Sequence, residues 1–150
     1  MIQRIQTVYL VISAICIALT FFLSFCTYDI SGVDGVFNAS GLNFTGKFMF
    51  FPVIFNVFIS VILAFVAIMS FKNRKTQLKL NMINYLSTIV LIVFIFLNFN
   101  NIEEGLKLEE ENIHYGIGMF LPLTSLVCLF LANRAIKSDE KLIKSMDRIR

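Results

Sequence analysis

Few residues in this chain combine the type and the spacing that chemistry needs. Cys16, Cys26 and Cys128 form no C-x-x-C pair, which argues against thiol–disulfide exchange. The single histidine, His114, has no paired ligand nearby, so a haem held by two histidines is excluded. Glu103, Glu104, Glu109, Glu110 and Glu111 crowd one segment beside it, but their spacing matches no EF-hand or zinc pattern, and such a run in a loop is ordinarily solvated. There is no glycine loop to cradle a phosphate and no nucleophile motif. The sequence therefore points to a protein that is not an enzyme, with no cofactor and no bound metal.

Two other groups of side chains could make contacts rather than catalyse. One is basic: Arg4, then Lys72, Arg74, Lys75 and Lys79, then Arg134, Lys137, Lys141, Lys144 and Arg148. Basic runs of this kind engage anionic lipid headgroups or a protein partner. The other is aromatic. Of 17 phenylalanines, most fall in what would be the outer halves of the apolar segments. Phe22, Phe51, Phe55 and Phe120, with Asn56 and Thr124 as polar handles, are the candidate lining of an outer-leaflet pocket for a lipid or small apolar ligand. Packing bulk between diverging helix ends is the plainer account of the same phenylalanines. Interhelical hydrogen bonding is the plainer account of Asn56.

The elements that must position these residues are set by where charge is missing. Four windows contain no Asp, Glu, Lys or Arg: Ile5–Tyr28, Phe48–Phe71, Leu80–Ile102 and Asn112–Asn133. Each exceeds the roughly 20 residues a helix needs to cross a bilayer core. Composition agrees, with 57% hydrophobic and 15% charged residues and a mean hydropathy of +0.79. Backbone groups in lipid must be satisfied internally, and the windows lack the alternation of a membrane barrel, so helices are expected. The reading is an all-α membrane protein of one domain, residues 1–150. It is a four-transmembrane-helix bundle with spans at about 7–26, 48–71, 82–99 and 115–133. The first span is long for a signal peptide and no small-residue cleavage site follows, so it is read as retained.

Charge also orients the bundle. Four spans place Arg4, the segment between the second and third spans, and residues 134–150 on one side. That side carries 11 Lys and Arg, the other 2. The positive-inside rule makes it cytoplasmic, so both termini are expected there. The net charge of +3 is then a membrane signal, and no nucleic-acid partner is expected. Membrane lipid, a protein partner or a second copy of the chain remain as partners.

Within the spans, Asn56, Ser60, Ala64 and Ala67 recur on one helical face, small enough for close backbone approach. The third span, large and apolar from Ile89 to Leu97, reads as the most lipid-exposed. Pro122 is expected to bend the fourth. Between the first two spans, Val33-Asp34-Gly35-Val36 signals a tight turn and hence a short outer β-hairpin. Residues 134–150 carry Ala135, Ile136, Leu142, Ile143, Met146 and Ile149 at helical spacing. They are expected to form a C-terminal cytoplasmic amphipathic helix. Continued unbroken from the fourth span, it would reach roughly 50 Å.

Three stretches together resemble a known family: Met1–Leu10, Phe71–Leu78, and Leu121-Pro122 with Leu131–Leu142 and Ser145–Arg150. The resemblance is to an uncharacterised family of four-span inner-membrane proteins of Bacteroidota, a domain of unknown function. It implies a bacterial inner membrane and supplies no activity, ligand or catalytic residue. The function expected is a non-enzymatic accessory or scaffold subunit, working through its cytoplasmic face. The alternative is a carrier or sensor of a lipid or small apolar ligand.

Overall fold

The computed structural model describes residues 2–30, 33–38, 50–106 and 113–147. Helix α1 (Ile2–Phe22) leads into strands β1 (Ser24–Ile30) and β2 (Val33–Asn38). Helix α2 (Phe50–Met69) is joined to α3 (Arg74–Leu106) by a 3-10 turn, Ser70–Lys72. Strand β3 (Ile113–Tyr115) and a 3-10 turn, Ile117–Met119, precede α4 (Leu121–Asp147). Each helix packs on its sequence neighbours, and α4 closes back on α1. Among the described residues, four helices are long and apolar enough to cross a membrane.

One periodicity builds all four contact faces. The inward residues are Gln6, Leu10, Ser13, Ile17 and Thr20 on α1, and Val53, Val57, Ser60, Ala64 and Ala67 on α2. On α3 they are Gln77, Asn81, Asn84, Thr88, Leu91, Ile95 and Asn98, and on α4 Pro122, Ser125, Leu129, Ala132, Ile136 and Asp139. Steps of three and four alternate along this face, with Phe99 and Asn133 buried beside it, which is the seam of helices packing at shallow angles. The content of the seam is unusual: small and polar groups are inside, while Ile62, Phe65, Leu86, Val93 and Val127 face outward. Among apolar surroundings, large apolar side chains gain nothing by turning inward, and close backbone approach and hydrogen bonds hold helices together instead. The small face expected on α2 is this seam, with Asn56 at its edge.

Several expectations are corrected. The first helix ends at Phe22, not 26, because Cys26 lies in β1. The hairpin forms, but its turn is not at Asp34-Gly35: the register pairs Ile30 with Val33 and Asp29 with Asp34. The fold is not all-α apart from a hairpin. Tyr115, expected in the fourth span, belongs to β3, which pairs with β1 to give a three-stranded antiparallel sheet, β2-β1-β3. Pro122 does not bend α4, since it sits in the first turn, where its fixed φ suits a helix start. The basic segment after the second span is no loop. Past Asn73, its Arg74, Lys75 and Lys79 already lie on α3, which at 33 residues, about 50 Å, is the longest helix. Its inward face carries seven residues of the seam, yet only 28% of its span is buried, the same share as in α2 and less than in α1 and α4. Through residues 134–147 α4 runs unbroken, the continuation the sequence allowed, but Ile136 and Asp139 pack into the bundle rather than standing free of it.

The sheet closes one end. A bulge between Ser24 and Cys26 shifts the register, so the consecutive residues Phe25 and Cys26 are both buried. They join Ile17, Phe37, Val53, Val57, Leu91, Ile95 and Phe99 in an apolar cluster. Gly116 and Gly118 lie directly on the Leu23–Ser24 backbone, where a β-carbon at Gly118 would stand 2.8 Å from the Leu23 carbonyl oxygen.

Candidate functional site at the turn end

The opposite end gathers the start of α1, the α2–α3 turn and the last described turns of α4. Heptad spacing brings three polar layers together there. In the outermost, Asp139 is only 5% exposed. The Gln6 side-chain amide donates to Asp139 Oδ2, and Arg74 Nη1 lies 4.0 Å from the same oxygen. Asp139 Oδ1 has no hydrogen-bond partner among the described residues. One layer in, Asn81 Nδ2 donates to Asn133 Oδ1 at 2.9 Å and to the Leu129 carbonyl at 3.2 Å. A turn deeper, Asn84 is fully buried, and neither its side-chain oxygen nor its nitrogen is paired among the described residues. A buried amide left unpaired costs about 1–3 kcal/mol, so the site holds more polar capacity than its own contacts use.

The electrostatics follow from the geometry. A carboxylate so deep in an apolar helix is tolerated when a cation and a donor face it. Arg74 at the first position of α3 would by itself oppose that helix's positive N-terminal dipole, and Asp139 offsets both. The cluster ties α1, α3 and α4 together. It holds no nucleophile with a base beside it.

The expected basic residues divide accordingly. Arg74 is turned to Asp139, while Lys75 and Lys79 are exposed on α3 and Arg134 and Lys137 on α4. The side chains of Arg4, Lys72, Lys141 and Lys144, and all of Arg148, fall outside the described residues. The aromatic set is not brought together. Phe22 is 75% exposed on α1, Phe55 points outward from α2 and Phe120 outward ahead of α4. The Phe51 side chain is outside the described residues. Thr124 donates to the Phe120 carbonyl within its own turn, at 3.0 Å. Asn56 accepts from Ser60 at 3.4 Å and from Ser87 of α3 at 3.1 Å, the interhelical role that an intramembrane asparagine commonly takes. Phe120 does line a crevice of about 380 Å³ with Ile92, Phe96, Tyr115, Met119 and Leu123, none of which was among the candidates.

Gln6, Gln77, Asn81, Asn133 and Asp139 were not singled out from the sequence, and Asn84 was noted only as a polar residue near the cytoplasmic end of the third span. Their signal was present as polar residues recurring every three or four positions. It runs through Gln77, Asn81, Asn84 and Thr88, across the edge of a charge-free window.

No curated protein and no solved structure matches the chain. Residues 2–149 match the family described as Domain of unknown function (DUF4293), and the chain belongs to that family.

Proposed function

We propose that the chain is a multi-pass protein of a bacterial inner membrane, with the turn end cytoplasmic. There it serves as a non-catalytic accessory or scaffold subunit that engages a partner or anionic lipid. The observation that carries this is the division of labour at the turn end. Neutral amides and one ion pair bind the helices inside, while Lys75, Lys79, Arg134 and Lys137 are presented outward on two long helices. The excess of Lys and Arg at this end, 11 against 2, supports the orientation.

Asp139 belongs to the bundle, so removing the tail from residue 138 would damage the fold; charge is the better variable. Single cysteines introduced by Lys79→Cys and Asp34→Cys, in a chain whose native cysteines are replaced by alanine, test orientation with a membrane-impermeant maleimide. In intact spheroplasts Asp34→Cys labels and Lys79→Cys does not until the membrane is opened. Labelling in the reverse order overturns the reading. Gentle-detergent purification of the chain, with and without glutamine at positions 75, 79, 134 and 137, tests the face. Identical associated proteins and lipids in both preparations would count against it.

A further inference from the structure

On the outer side of the polar cluster, α3 and α4 diverge enough to leave a groove of about 720 Å³. This is within the range of small-molecule sites. Its wall on α3 is Met82, Tyr85 and Leu86, one turn of side chains at spacings of three and four. Its wall on α4 is Phe130, Arg134 and Lys137, again on one face. The order along α4 matters. Phe130 lies seven residues from Lys137, about 10 Å at 1.5 Å per residue, so the groove has an apolar end inside the bundle and a cationic end at the turn. Ser138 adds a hydroxyl at the cationic end.

Both cations are available. Among the described residues neither Arg134 nor Lys137 has a carboxylate partner, and the nearby Asp139 faces inward, taken up by Gln6 and Arg74. The floor is firm, because Asn133 is held by Asn81 and its own amide nitrogen approaches the Met82 sulfur at 3.8 Å. Arginine and lysine one turn apart offer a fork and a point charge to one phosphate. Beyond Asn133 and the ring of Tyr85, the wall is made by the apolar Met82, Leu86 and Phe130.

The geometry points to this groove as a binding site for one anionic phospholipid, its phosphate on Arg134 and Lys137 and an acyl chain along Met82, Leu86 and Phe130. The inference rests on the membrane placement proposed above and narrows it, committing the basic face of α4 to lipid.

The chain has no tryptophan, so one introduced residue is a clean reporter. The full-length Phe130→Trp protein, in phosphatidylcholine vesicles, is titrated with brominated phosphatidylglycerol or brominated phosphatidylcholine, and fluorescence quenching is read. Phe65→Trp, on the outward face of α2, reports ordinary surrounding lipid. At Phe130→Trp, the brominated phosphatidylglycerol is expected to quench at on the order of tenfold lower mole fraction, the joint pull of two cations at moderate salt. The preference should fall near unity with Arg134→Gln and Lys137→Gln combined, and survive Lys137→Arg. No preference is expected at Phe65→Trp. Equal quenching by the two lipids at Phe130→Trp overturns the site. So does a preference that persists in the double glutamine variant, or one equally strong at Phe65→Trp. A turn end labelled from outside, with the lipid preference intact, would instead overturn only the orientation.

Discussion

The two ends of the bundle are held by different forces. At the sheet end, Phe25, Phe37 and Phe99 are buried with Ile17 and Val53, and the polar groups are mostly backbone, paired along the strands. At the turn end the buried polar groups are Gln6, Gln77, Asn81, Asn84, Asn133 and Asp139; side-chain hydrogen bonds join Gln6 to Asp139 and Asn81 to Asn133, and Arg74 pairs with Asp139. Burying an aromatic side chain stabilises a fold in proportion to the water it leaves behind. An amide pair between helices with apolar exteriors works differently, since the alternative for each group is an unsatisfied polar atom. A sheet cap built on area and a turn end built on pairing should therefore fail differently when cut.

The largest effect is expected at the sheet end. Phe25→Ala removes a side chain that is 1% exposed and packs on Phe37 at 5.2 Å between ring centroids, and should cost about 3–5 kcal/mol. Thermal unfolding in detergent would show it as a large fall in Tm. At the turn end, Asp139→Ala strands Arg74 and the Gln6 donor and should cost about 2 kcal/mol, less than a fully buried pair because Arg74 reaches solvent. Asp139→Asn should recover part of that by keeping an acceptor. If Asp139→Ala cost as much as Phe25→Ala, the contrast between the ends would be lost. Smaller again is the Asn81–Asn133 pair. A double-mutant cycle with alanine at each should give a coupling near 0.6 kcal/mol, and at most about 1.7. A value near zero would show that the Leu129 carbonyl alone satisfies Asn81.

The last prediction sharpens the picture of the sheet cap as dry. Burial pushes the Cys26 thiol up from 9.0 to about 11. The neutral thiol is the form the fold favours, so its contribution is complete below pH 9.0 and is lost as pH rises towards about 11. At pH 8 the folded protein should leave Cys26 unlabelled by maleimide, while urea-unfolded protein labels. Rapid labelling of the folded chain would mean the cap admits water.

Much of the fold was legible, for reasons that can be named. Charge-free windows longer than a bilayer core mark helices whatever surrounds them, and a hairpin after the first helix was visible, though the turn read at Asp34-Gly35 lies within β2. The small face on α2 was legible because Ser60, Ala64 and Ala67 stand out among large residues. The polar seam of α3 was hidden because Gln77 and Asn81 straddle the border of a window judged by charge, which neutral amides do not disturb. Asp139 read as one more charge in a charged tail. Only α1 and the start of α3, distant in sequence, supply the Gln6 and Arg74 that account for its burial. Strand β3 is three residues long and gains its identity from β1, almost 90 positions away.

The sequence by itself determined the four apolar helices, their alternating direction and the concentration of positive charge at one end. These depend on composition and local spacing, which no tertiary contact is needed to evaluate. The tertiary structure alone decided which polar residues are shared between helices, and that a third strand seals the sheet end. It also decided that Arg134 and Lys137 border a groove rather than a plain surface. Each of these depends on residues from 27 to 133 positions apart meeting in register, and hydrogen bonds and clefts exist only once both partners are in place.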